Sequence, residues 1–192
     1  PVNGHTFCKI PRSSKADIDL AITAANKAKE KWQACTVQQR RDYLLQIADC
    51  LEENIEILAL TQTWDNGETI NKTLNTILPL AIKQFRFYAN AVNQQEERLR
   101  QLNENTVLYQ FNEPVGIVGQ FTSSESTILM TAWDLGAALA AGNCVILKPS
   151  EKASTSVLVM MELIEGILPP GVINIVSGFN WEVGQALCKN NQ

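Results

Sequence analysis

The chain has 192 residues, 45% of them hydrophobic, and a formal net charge of −4 at pH 7. That apolar content can bury the core of one domain, or of one and a half. The acidic balance, with no Lys/Arg stripe interleaved with aromatics, excludes a nucleic-acid partner, and no apolar run approaches the roughly 20 residues that a membrane helix needs.

The N-terminus shows no secretory signal. The five cysteines are scattered, without a C-x-x-C pair, and read as reduced thiols of a cytoplasmic protein. Pro1 in place of an initiating Met points to a piece of a longer product.

In chain order, Val2 to Pro11 reads as a short strand with a turn at Asn3-Gly4. A helix opens at Ser13-Ser14, where Asp17 is placed to complete a capping box with Ser14. Ile18, Ala21, Ile22, Ala25, Ala28 and Trp32 recur at helical spacing and form its core face. A second helix follows Thr36, with Tyr43, Leu44, Ile47, Ala48 and Leu51 on one side. Asn54 to Thr63 either continues it or starts a third. Trp64-Asp65-Asn66-Gly67 is a stop, with Gly67 suited to a left-handed C-cap. Glu68 to Val92 is helical but contains Pro79, which predicts a kink or break near Leu78.

The period then changes. Glu97 to Leu102 and Thr106 to Phe111 alternate around Asn103-Glu104-Asn105 and predict a hairpin. After Pro114 the pattern is strand (Val115 to Phe121), helix (Thr127 to Ala141), strand (Cys144 to Leu147), helix (Ser154 to Ile167), strand (Val172 to Val176) and helix (Trp181 to Lys189). Short apolar strands alternating with helices predict an α/β fold with a parallel sheet and right-handed crossovers.

Little of the usual catalytic equipment is present. His5 is the only histidine and sits in an N-terminal turn, so histidine catalysis has no candidate. No cluster has metal-ligand spacing, and G-x-S-x-G, Walker and G-x-G-x-x-G motifs are absent. What remains is Lys148-Pro149-Ser150-Glu151 at the carboxyl end of a buried strand, where open parallel sheets bind ligands. A cation with three donors beside an acceptor of two hydroxyl hydrogen bonds suits a ribose. The same residues also suit an exposed loop with a Glu at a helix N-terminus.

Four segments occur in an order and at a spacing that resemble the NAD(P)-dependent aldehyde dehydrogenases. They are Glu113-Pro-Val-Gly-Ile-Val-Gly-Gln120, Ala140-Ala-Gly-Asn143, Leu147-Lys-Pro-Ser-Glu151 and Leu168-Pro-Pro-Gly-Val-Ile-Asn-Ile-Val176. Thr63-Trp-Asp-Asn-Gly67 and Ala81-Ile-Lys-Gln-Phe-Arg-Phe-Tyr88 fit as well, and together they look most like the bacterial acetaldehyde dehydrogenase branch. The resemblance covers nearly the whole chain. It implies a Rossmann-like parallel sheet with flanking helices, preceded by a helical segment and a β-hairpin oligomerisation arm. The expected parts are 1–93, the helical part of the cofactor domain; 94–113, the hairpin; and 114–192, an incomplete NAD(P)-binding part.

The resemblance further implies that Lys148 and Glu151, with Ser150 between them, hold the adenosine ribose of NAD or NADP. Gly178-Phe179 matches the start of the family's adenine-side loop. The implied partners are a nicotinamide dinucleotide and either further copies of the chain or a chain supplying the missing half.

Two departures argue against catalysis by this chain. The family follows its Gly-Gln strand with Pro-Trp-Asn-Phe-Pro, whose Asn donates to the developing oxyanion; here the loop reads Ser123-Ser124-Glu125-Ser126-Thr127. An ionised Glu125 donates nothing, and loss of one such donor costs roughly 10²–10³ in rate. Asp134 also stands where a Lys is usual. The family's catalytic Glu and Cys nucleophile lie beyond the matched region, and none of Cys8, Cys35, Cys50, Cys144 and Cys188 stands in for that nucleophile. The expectation is an inactive cofactor-binding portion of an aldehyde dehydrogenase, or a non-catalytic module of that ancestry.

Overall fold

The computed structural model describes residues 3–94 and 98–190. Helix α1 (Lys15–Gln33) starts where the sequence indicated: Asp17 Oδ2 accepts from the Ser14 N–H at 2.7 Å. Its face of Ile18, Ala21, Ile22, Ala25, Ala28 and Trp32 is buried. Helix α2 (Val37–Glu53) begins with a second capping box, in which Thr36 and Gln39 exchange bonds of 2.8 and 3.2 Å. Asn54 then separates it from a distinct third helix, α3 (Ile55–Asn66), which ends on Gly67 at φ +82°, the left-handed cap expected.

The stretch with Pro79 is not broken. A short α4 (Ile70–Lys72) widens into a π-helical turn over Thr73–Ile77 and continues as α5 (Leu78–Ala91). The wide turn places Pro79 in the first turn of α5, where its missing N–H is not needed. Other differences lie near the ends. Residues 3–11 form no strand, since that segment pairs with no sheet; Val2 lies outside the described residues. The chain leading from residues 3–11 into α1 is tied down instead by the Ser13 N–H, which donates to the Ser177 carbonyl at 2.7 Å.

The hairpin is β1 (Arg98–Asn103) paired antiparallel with β2 (Thr106–Gln110); Glu97, its expected first residue, lies outside the described residues. Leu99, Leu102, Val107, Leu108 and Tyr109 are all exposed along it, as is Phe111 just beyond.

The second sheet is parallel, in the order β3 (Ile117–Phe121), β4 (Cys144–Lys148), β5 (Ile173–Ile175). Its crossovers are α6 (Thr127–Ala140) and α7 (Thr155–Leu163). Helix α7 stops four residues before the expected Ile167, at a run of turns. The last expected helix is mostly a π-helical turn over Asn180–Gly184 with a single α-turn, α8 (Gln185–Cys188).

Alternation along the central strand sorts the core. Val145 and Leu147 join the main cluster with α2, α3, α5, α6 and α7. Ile146 joins Ile18, Ala21, Ile22, Val176 and Val183 on the opposite face. The main cluster draws on both sides of the hairpin, from Trp32 and Phe85 to Leu135 and Met160.

Candidate functional site

Every residue of β4 is buried, and Lys148, its last, is 1% exposed. An ammonium in that position needs partners. Lys148 Nζ donates to Glu151 Oε2 at 2.9 Å and to the Pro149 carbonyl at 3.1 Å. The Glu151 side chain keeps 22% exposure and opens onto a cleft of about 800 Å3 at the carboxyl ends of β3 and β4. The walls of that cleft come from Phe121, Thr122 and Ser123 on one side, Ser150 and Lys152 on another, and Asn180, Trp181 and Cys188 on a third.

Burial raises the Glu151 carboxyl, but the hydrogen bond and charge of Lys148 and backbone bonds at Glu151 and Asn180 outweigh it, and the carboxyl is held below its usual range. A carboxyl depressed on folding contributes stability that is fully present above its unfolded pKa and is lost as pH falls through the folded value. Below about pH 5 the chain is therefore expected to lose stability more steeply than Glu151→Gln, whose amide does not titrate. Denaturant midpoints measured from neutral to acid pH check this; parallel curves would contradict it.

The predicted residues do not all converge. Lys148, Ser150 and Glu151 line one cleft. Gly178 and Phe179 stand just behind its third wall, in the segment entering the π-helical turn. Gly178 sits at φ +145°, and a Cβ there would lie 2.7 Å from Val183 Cγ2, so only glycine fits. Phe179 stacks on Trp181 with centroids 4.4 Å apart and planes 12° from parallel. The Arg12 guanidinium lies 5.2 Å from the other ring's centroid, that of Phe179, and pairs with Glu182. Trp181, 65% exposed, presents an indole to the cleft.

Glu125 is exposed, and its carbonyl accepts from the Ser123 hydroxyl at 3.0 Å. The next residue, Ser126, is the one non-glycine with positive φ among the described residues, at +45°.

Thr122, Trp181 and Cys188 are among the cleft residues that escaped sequence reasoning. Thr122 has a buried hydroxyl without a hydrogen-bond partner among the described residues. Trp181 carried a signal, since it follows Gly178-Phe179 at the end of the last strand. Cys188 carried none, because its place on the wall comes from the turn of the chain through residues 180–184. Cys144, read as a core residue, is fully buried, and burial, opposed by the charge of Lys29, pushes its thiol up to about 11. Among the described residues no group of three or more His, Cys, Asp or Glu could hold a metal ion. No helix among them is long and apolar enough to cross a membrane.

A βαβαβ parallel sheet with an ion pair and an open cleft at the strands' carboxyl ends defines an α/β protein whose cleft lies where open parallel sheets bind ligands. The chain belongs to the aldehyde dehydrogenase family, whose model matches residues 1–192. It is 46% identical to an acetaldehyde dehydrogenase of Pseudomonas aeruginosa over all of its own length and 38% of that protein's. Among solved structures it resembles the aldehyde dehydrogenase KauB of P. aeruginosa, with a TM-score of 0.95, 32% identity, and coverage of 98% of this chain and 39% of that one. It also resembles PnpE in complex with nicotinamide adenine dinucleotide, with a TM-score of 0.93, 32% identity, and coverage of 97% and 39%. The chain thus spans less than two fifths of the length of these relatives.

Proposed function

We propose that this chain forms the adenosine-ribose half of a NAD(P) site in an aldehyde dehydrogenase, which oxidises an aldehyde to a carboxylic acid. The observation that carries the reading is the Lys148–Glu151 pair, buried at its root and open to the cleft at its carboxylate. Two of the three Lys148 donors are spent on Glu151 and Pro149, which leaves one for a hydroxyl. Glu151 has lone pairs to accept from a ribose diol. The exposed indole of Trp181 offers an apolar face alongside. When bound, the nicotinamide would accept the hydride; the residues described here would only hold and orient the adenosine end. A carboxylate at the ribose repels a 2′-phosphate, so NAD is favoured over NADP.

Calorimetry with millimolar dinucleotide tests the proposal. Weak heat with NAD and less with NADP is expected, and no heat with either would refute it.

The exposed apolar hairpin supports assembly with further copies or with a chain that supplies more of the fold. A two-stranded hairpin is marginal in water by itself, and β1–β2 leaves five of its large apolar side chains exposed. Sedimentation at micromolar concentration is expected to show species heavier than the 21.3 kDa of one chain; a monomer alone would count against it. A second reading, a non-catalytic protein of the same ancestry, is favoured by the loop that puts Glu125 and a left-handed Ser126 where the family carries its oxyanion donor.

A further inference from the structure

Helices α6 and α7 begin directly after the two loops that wall the cleft, and neither supplies its own cap. Ser126 precedes α6 and Ser154 precedes α7, and neither side chain hydrogen-bonds to its helix. The first four N–H groups of a helix have no partner within it. In both helices the second of these is taken by a side chain from the end of α3. Gln62 Oε1 accepts from the Ile128 N–H at 3.2 Å, and Asp65 Oδ2 accepts from the Ser156 N–H at 3.1 Å. Residues 62 and 65 are three apart and share one face of α3.

The Gln62 end is held rigidly. Gln62 is fully buried, and its Nε2 donates to Glu68 Oε2 at 3.0 Å. Glu68 in turn accepts from Lys72 Nζ at 2.7 Å and from Asn66 Nδ2 at 3.4 Å, and its own N–H donates to Asn66 Oδ1 at 2.9 Å. A carboxylate on the amide nitrogen fixes which way the Gln62 amide points, and so turns its oxygen to α6.

We propose that Gln62 and Asp65 are paired positioning residues that hold the starts of α6 and α7, and with them loops 122–126 and 149–154, in register across the cleft. Neither touches the cleft. Each acts through the helix start it caps, and one rigid turn of α3 references both walls to the same element. The proposal rests on the nucleotide-site reading only for what the cleft holds, not for the clamp itself.

Amide hydrogen exchange on the whole 192-residue chain tests it, with Ile47→Val as a core variant remote from the cleft. Gln62→Met should speed exchange at Ile128 and in 122–126 roughly fivefold, the size of a lost cap, and should weaken NAD binding. Asp65→Ala should do the same at Ser156 and in 149–154. Gln62→Glu keeps the acceptor but sets a carboxylate beside Glu68. Its protection relative to the unmodified chain at the same pH should be low at neutral pH and recover as one of the pair protonates, whereas Gln62→Met stays low. Unchanged protection in the two loops, or losses spread over the chain as in Ile47→Val, would overturn the clamp. Exchange reads the clamp whether or not dinucleotide binds; an unmodified chain that ignores NAD would sink the nucleotide reading alone.

Discussion

Lys148→Met should abolish the calorimetric response to NAD and lower the denaturant midpoint. The methionine replaces the apolar stem and removes the ammonium. Glu151 then loses the partner 2.9 Å away, and the Pro149 carbonyl loses its donor. Breaking a fully buried ion pair costs about 3–5 kcal/mol. The Glu151 side chain retains 22% exposure and can recover water, so about 2 kcal/mol is the expected loss here. A lost charge-assisted bond to a ribose hydroxyl would weaken binding by roughly one to two orders of magnitude, below detection for a site already weak. Glu151→Gln separates the two effects. It keeps a carbonyl acceptor facing Lys148 and should fold with a smaller loss while still binding poorly. A Lys148→Met chain with the unmodified midpoint and undiminished NAD heat would show that the pair does neither job.

The 192-residue chain, assayed alone with acetaldehyde and NAD, should form no NADH above a buffer blank. Attack on an aldehyde carbonyl needs an activated nucleophile and a donor for the oxyanion. Cys188 is the one cysteine on the cleft wall, and among the described residues no hydrogen bond joins its thiol to Glu151 or to any other base. His5 stands at the N-terminal end, where its backbone N–H donates to Asn3 Oδ1. By the resemblance, Glu125 stands at the position from which the family's Asn would donate to the oxyanion, and a carboxylate there offers no amide donor. Steady NADH formation proportional to protein would overturn this expectation. Restoring Asn at position 125 should not by itself create activity, because the nucleophile is still missing.

Much of this was legible without coordinates. Periodicity placed α1, α2, α6 and the three parallel strands, since a 3.6-residue stripe and a short apolar run each bury only one way. The left-handed Gly67 cap followed from steric freedom that glycine alone has. Motif order located Lys148 and Glu151 at a strand's carboxyl end. Local rules misjudged segments whose conformation is set by distant partners. The N-terminal segment is held by Ser177 and Glu182 rather than by a strand. Near Pro79 local rules located an irregularity but not its form, a π-helical turn over Thr73–Ile77 packed against α3.

The sequence by itself determined the family, the alternation of strand and helix, and the chemical pair at residues 148 and 151. Those depend on side-chain type and spacing along the chain. Only the tertiary structure decided that Lys148 is buried with Glu151 open to a cleft, that Trp181 and Cys188 share that cleft, and that Gln62 and Asp65 cap α6 and α7. The two caps join residues 66 and 91 positions apart, and the cleft gathers walls from 121–124, 148–152 and 180–188, so each depends on how distant segments pack together and no local periodicity encodes it.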